Sequence, residues 1–312
     1  MVYLDIAGRC GNQMFQYAFA RKLSIINHDE ITIDFSLMDV YAKRHNDPTF
    51  RDELYSFEAS NHYEKIVDGS NKIYRYGSKE QVYVFKVYTK IKRFLQKYFK
   101  DKRLANKLLY RVMCHYGIYW YMAPKKLKKT RQKNKFVFGY FEDPAFFDDI
   151  RDTLVQELVP KYQPDPKNSE LLKMIHTGHS VCVSFRKWET TGGTNVALRE
   201  VCDEKYYHNA IDFLNKKIPD ALFVIFSNDV EWVKANFAFP DHCIFESGDD
   251  PIYEKVRLMS ACKHFVLSNS TFAWWVQYLG QAENKIVIAP DRWSNDEKKR
   301  NPLIMPSFTI IS

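Results

Sequence analysis

Four short apolar runs, at 181–186, 222–227, 264–268 and 285–289, alternate with helical patterns at about 203–217, 229–236, 251–262 and 271–280. Strand and helix alternating in this way predict a parallel sheet covered by helices, because parallel neighbours need a long crossover between them. A similar series opens the chain. Val2 to Ile6 reads as a buried strand, followed by the turn Gly8-Arg9-Cys10-Gly11-Asn12-Gln13, a helix to about Ile26 and a second strand at Ile31 to Ile33. Phe136 to Phe141 suggests another strand and about 144–158 a helix, while 36–85 is mixed and loop-rich. Pro160, Pro164 and Pro166 fall in polar sequence that opposes regular structure and marks a boundary. The expectation is an α/β fold in two domains, 1–160 with a basic helical insertion at about 86–135, and 167–294. Residues 295–312 show no sheet partner and are expected to pack back on the first domain.

A chain of 312 residues is long enough for two real cores, and its 46% hydrophobic and 27% charged content is that of a soluble globular protein. No window approaches 18 uncharged apolar residues, and the start, MVYLDIAGRCGNQ, lacks the basic and apolar regions of a secretory signal. The six cysteines, at 10, 114, 182, 202, 243 and 262, show no paired spacing, which fits a reducing compartment and a cytoplasmic protein. Charge is uneven. Lys86 to Lys135 holds 17 Lys or Arg against one acid, Asp101, so this segment carries +16 and leaves −8 for the rest of a chain whose total is +8. Val87, Ile91, Phe94, Leu95, Tyr98, Leu108, Leu109 and Val112 recur there at helical spacing among the cations. A cationic amphipathic helix of this kind suits an anionic membrane surface, where each basic residue is worth about 1 kcal/mol. That favours peripheral contact with the inner face of the plasma membrane; nucleic acid is the competing partner and is not expected.

Ligands of open parallel sheets bind beyond the carboxyl ends of the strands. Arg186 ends the run from Val181 and can bond two oxygens of a pyrophosphate at once, with Lys187 beside it. Asn228 and Asp229 end the next run; a carboxylate there suits a guanine or ribose, or equally a helix cap. In Lys263 to Tyr278 the strand stops at Ser268-Asn269-Ser270-Thr271 and a helix begins at Phe272. Small donors at a helix start suit a phosphate, or form an ordinary capping turn. Trp274 and Trp275 read as core of that helix. The Gly8–Gln13 turn is not Gly-x-Gly-x-x-Gly, yet its glycines permit close backbone approach and Asn12 offers a donor and an acceptor. No spaced His, Cys or acidic set supports a metal, and no Asp-x-Asp, P-loop or Gly-x-Ser-x-Gly elbow occurs.

These residues resemble the glycosyltransferase family 11 α-1,2-fucosyltransferases. The likeness lies in GRCGNQMFQYAFARKL, in Gly139-Tyr140-Phe141, and across nearly all of 181–293, above all FVIFSNDVEWVK, LMSACKHFVLSNSTFAWW and KIVIAPDRW. The resemblance implies two Rossmann-like domains in a GT-B arrangement, 1–160 contributing the acceptor side and 167–294 holding the GDP-sugar, and metal-free, inverting transfer of L-fucose from GDP-β-L-fucose, without a cofactor, to O2 of galactose in a surface glycan; the basic segment suggests that this glycan is lipid-linked. It implies phosphate contacts at Ser270, Thr271 and Phe272, and Asn12 near the reacting carbon. The family's His-x-Arg-Arg-Gly-Asp reads Ser184-Phe185-Arg186-Lys187-Trp188-Glu189 here, so Glu189 occupies the acidic position and is the nominated base. Glu142 stands where relatives carry Gln. A different nucleotide sugar, or a non-catalytic glycan- or nucleic-acid-binding role, is the alternative.

Overall fold

The computed structural model describes residues 1–98, 103–120, 123–188, 196–240, 242–297 and 300–312. The chain divides into two compact units, Met1–Glu157 and Leu158–Ser312. Each is built on its own parallel sheet.

In the first unit, β1 (Val2–Asp5) leads through α1 (Cys10–Asn27) to β2 (Ile31–Asp34), α2 (Ser36–His45) and β3 (Glu64–Ile66). The chain continues through α3 (Lys72–Tyr76), α4 (Lys79–Tyr98) and α5 (Arg103–His115) to β4 (Ile118–Tyr119) and β5 (Lys135–Val137), and closes with α6 (Arg151–Glu157). The described strands lie in the order β3-β2-β1-β5-β4. Val2 and Leu4 bury one face of β1, and all four residues of β2, Ile31 to Asp34, are buried, as a strand covered on both faces requires. The basic segment is no appendage. Its helices pack through Tyr88, Tyr110 and Met113 onto Ile118 and Phe136 of the sheet, and β4 is one of its strands.

In the second unit, α7 (Ser169–Thr177) precedes β6 (His179–Ser184), then α8 (Val196–Arg199), α9 (Glu204–Lys217), β7 (Ala221–Phe226), α10 (Val230–Asn236) and β8 (Cys243–Phe245). There follow α11 (Ile252–Ala261), β9 (His264–Val266), α12 (Thr271–Leu279), β10 (Val287–Pro290) and β11 (Thr309–Ile311). The order β8-β7-β6-β9-β10-β11 is the doubly wound one, counted outward from the unit's first strand. β6 and β7 pair in register from His179↔Ala221 to Ser184↔Phe226. Trp274 and Trp275 are fully buried in α12 and meet edge to face at 5.3 Å, so they are core, as their helical setting suggests.

The tail differs from the sequence expectation. Residues Thr309–Ile311 add a parallel strand to the second sheet, Ile288 facing Thr309, and Trp274 Nε1 donates to the Leu303 carbonyl at 3.1 Å. The segment therefore completes the second unit. A three-residue edge strand has too little sequence to show a period.

Candidate active site

In an open parallel sheet the crevice where the chain reverses its direction of strand addition is where a ligand finds room. In the second sheet the reversal falls between β6 and β9. Ser184 ends β6, and Ser268 lies two residues past β9; their hydroxyls meet at 3.3 Å, both residues buried. Tyr207 Oη donates to the Ser184 carbonyl at 3.1 Å, and Tyr206 Oη to the Leu267 carbonyl at 2.6 Å. The adjacent tyrosines of α9 thus hold both strand ends from below, a role sequence reasoning missed although they sit on an apolar helical stripe.

Arg186 emerges two residues past β6, half-buried, with its guanidinium carbon 5.2 Å from the Trp188 ring centroid. A cation over an indole face is attracted by the ring quadrupole, which helps order the side chain. Lys187 behaves differently. Its Nζ pairs with Asp229 at 3.1 Å and lies 4.8 Å from the Trp232 ring, so its charge is directed into the protein. Asn228 accepts from the Lys187 N–H at 2.9 Å and donates to the Lys187 carbonyl at 3.0 Å, lacing the loop after β6 to the end of β7. Asp229 caps α10, accepting from the Trp232 N–H at 3.1 Å. That bond, with Lys187 second, holds its carboxyl below the usual range. Of the two readings left open for Asp229, the structure displays the cap.

Asn269 is 4% exposed and occupied on both amide atoms. Nδ2 donates to the carbonyls of Arg199 at 2.7 Å and Trp293 at 3.0 Å, and Oδ1 accepts from Trp188 Nε1 at 3.4 Å. It organises three segments around the site, whereas the sequence suggested a ligand contact. Ser270 is the N-cap of α12, its hydroxyl accepting from the Phe272 N–H at 3.3 Å, with Thr271 and Phe272 half-buried beside it. The helix therefore begins at the same carboxyl edge as Arg186 and adds the positive end of its dipole there. Glu189 lies outside the described residues.

In the first sheet β1 and β5 are parallel neighbours, and the loops beyond their ends again meet. Gly8 has φ +81°, and a Cβ there would stand 2.9 Å from the Asn12 Cβ and 3.2 Å from Tyr140, so only glycine fits. Two buried glutamines of α1 secure that loop. Gln16 accepts from the Ala7 N–H at 3.0 Å and donates to its carbonyl at 2.6 Å. Gln13 donates to the Gly8 carbonyl at 3.0 Å and to the Arg51 carbonyl at 2.7 Å. Past β5, the strand expected to reach Phe141 stops at Val137, because Gly139 (φ +105°) and Phe141 (φ +52°) turn the chain. A phenylalanine in the left-handed region is costly. It is held by stacking on Phe19 at 3.8 Å between centroids. The turn brings Glu142 to Asn12, whose Nδ2 donates to Oε1 at 3.0 Å. Burial raises the Glu142 carboxyl above its usual range.

The second unit's edge, with a guanidinium, hydroxyls and a helix start, suits a phosphate-bearing ligand, and the first unit's edge by itself offers a carboxyl and an amide. The chain belongs to glycosyl transferase family 11, whose model matches residues 1–305. It is thus a glycosyltransferase. Among its relatives, the O-antigen biosynthesis glycosyltransferase WbnK of Escherichia coli is 26% identical, over 98% of this chain and 99% of that protein. The alpha-1,2-colitosyltransferase of Escherichia coli is 23% identical, over 96% and 94%. Among solved structures, the fucosyltransferase NodZ from Bradyrhizobium superposes with a TM-score of 0.48 at 10% identity, covering 89% of this chain and 91% of that one.

Proposed function

We propose that this glycosyltransferase moves L-fucose from GDP-β-L-fucose, with inversion, to a sugar hydroxyl of a surface glycan, O2 of galactose being the favoured position. The observation that carries the reading is Arg186 at the reversal of the second sheet, beside the start of α12. As the acceptor oxygen bonds to the anomeric carbon, the bond from that carbon to the β-phosphate oxygen breaks and its electron pair stays on the diphosphate. Arg186 and the Ser270–Thr271 turn stabilise that growing charge. The acceptor proton passes to a general base, for which Glu189 is nominated. Asn12 and Glu142 belong to the acceptor side. With cationic and hydroxyl donors serving the diphosphate, the reaction is read as metal-independent, so excess EDTA leaves the rate unchanged.

A relative that carries an O-antigen biosynthesis name, and one named for colitosyl transfer, support a glycan acceptor and make a colitosyl donor the specific alternative. The test is GDP release and product analysis with GDP-fucose and a panel of galactosides, set against other nucleotide sugars. Arg186→Ala is expected to lower turnover by about 10²–10³ with the fold intact. Near wild-type turnover in that variant overturns the assignment, and unchanged kinetics in Glu189→Gln removes the nominated base.

The basic segment supports a peripheral membrane contact. Among the described residues no helix is long and apolar enough to cross a membrane. On α4 the exposed Tyr83, Val87, Ile91 and Phe94 form one helical stripe, with exposed Lys86, Lys90, Arg93 and Lys97 along its edge. An apolar stripe bordered by cations fits an anionic bilayer, where a lipid-linked glycan would be extended.

A further inference from the structure

The reading of Lys187 leaves the donor site with a chemical shortfall. A diphosphate leaving group gathers more charge than one guanidinium neutralises, and the lysine next to Arg186 is turned onto Asp229. A second guanidinium stands at the same edge. Arg199, the last residue of α8, is exposed, and its guanidinium carbon lies 5.2 Å from the Trp188 ring centroid, the same distance as that of Arg186. At most twice that distance therefore separates the two cations.

The backbone around Arg199 is unusually well held for so short a helical turn. Its own carbonyl accepts from Asn269 Nδ2 at 2.7 Å, one residue before the Ser270 cap. The Leu198 carbonyl accepts from the Asn295 N–H at 2.8 Å and from Ser294 Oγ at 3.0 Å. Asn295 Nδ2 donates to the carbonyls of Ala197 at 2.7 Å and Glu200 at 3.0 Å. The orphan carbonyls that end a helix are thus met by neighbouring segments. The side chain has no such partner: among the described residues no carboxylate pairs with the Arg199 guanidinium, whereas Arg292 nearby in sequence to this clamp pairs with Asp291 at 3.0 Å. A fixed backbone, an indole platform shared with Arg186 and a charge with no carboxylate partner among the described residues are what an anion-binding arginine requires.

We infer that Arg199 is a second diphosphate-binding residue, acting with Arg186 through their common platform Trp188. The inference rests on the donor reading above. Its ligand chemistry is a nucleoside diphosphate, with the terminal phosphate as the group the guanidinium contacts.

The test is calorimetry of GDP and GMP binding to the full chain and to Arg199→Ala, Arg199→Met and Arg199→Lys, with melting curves as the folding control. Loss of one charge-assisted contact is expected to weaken GDP by about ten- to a hundredfold in the Ala and Met variants. GMP, which lacks the terminal phosphate, is expected to change less than about threefold, and Lys to restore part of the GDP affinity. Equal loss for both nucleotides would assign Arg199 a structural role and overturn the inference, as would unchanged GDP binding. If Arg186→Ala impairs GDP while the Arg199 variants do not, the donor reading stands and only this inference falls. If the wild-type chain binds neither nucleotide, both fall.

Discussion

Replacing Asp5 by asparagine is expected to stabilise the protein near neutral pH. Asp5 ends β1 directly opposite Asp34 of β2, and Oδ1 is buried with no hydrogen-bond partner among the described residues. Lys72, itself buried, pairs with Asp34 and with Asp68 at 3.0 Å and donates to the Ser70 carbonyl, so its charge is largely spent. Burial raises the Asp5 carboxyl from 3.8 to about 6, with Lys72 opposing and Asp34 and Asp68 adding to the rise. A carboxyl whose folded pKa is raised contributes stability that is fully present below its unfolded pKa and is lost as pH rises through the folded one. At 1.36 kcal/mol per unit, a rise of about two units makes ionised Asp5 cost about 3 kcal/mol. Asp5→Asn removes that cost. Urea unfolding followed by far-UV circular dichroism should show the variant about 3 kcal/mol more stable at pH 7.5. The gain should shrink between pH 6 and 4 and vanish below. In melting curves this corresponds to about 6–12 °C for a unit of this size. An Asn variant equal to or less stable than wild type at pH 7.5 refutes the reasoning. A stabilised variant with lower transfer activity would mark Asp5 as stability surrendered at the ligand edge.

Two further outcomes follow from the geometry. Gly8→Ala forces a Cβ into the Asn12 side chain at a backbone angle of φ +81°, so it should cost about 1–3 kcal/mol and displace Asn12. Melting curves and acceptor KM report it, and a variant with unchanged values contradicts the assigned loop geometry. Phe94→Asp on the exposed stripe of α4 should reduce binding to vesicles containing phosphatidylserine at low salt, with transfer to a soluble galactoside unchanged; equal vesicle binding argues against the membrane contact.

The alternation of apolar runs and helical patterns is legible because buried parallel stretches such as Val181–Val183 and Ala221–Phe226 are apolar throughout. The positions of Arg186, Ser270 and Asn12 beyond the carboxyl ends of strands are therefore legible in the sequence. Cys243–Phe245 and Thr309–Ile311 escaped because three-residue edge strands, only half-buried, carry no period. Phe141 is hidden for another reason: a left-handed phenylalanine opposes its own propensity and is held by packing against Phe19 and Phe146. Residue chemistry also misled where partners decide use. Lys187, Asn228 and Asn269 are good phosphate or sugar donors on paper, but each is engaged within the fold. Nothing in the sequence marks Arg199, because its place beside Trp188 is made by contacts from Asn269 and Asn295, far away in sequence.

The central claim is that the departing diphosphate is held where β6 ends and α12 begins. A structure of the full chain with GDP tests it most directly. The β-phosphate should contact the Arg186 guanidinium and the Ser270–Thr271 turn; GDP seated on another surface, or no bound GDP at saturating concentration, would contradict it.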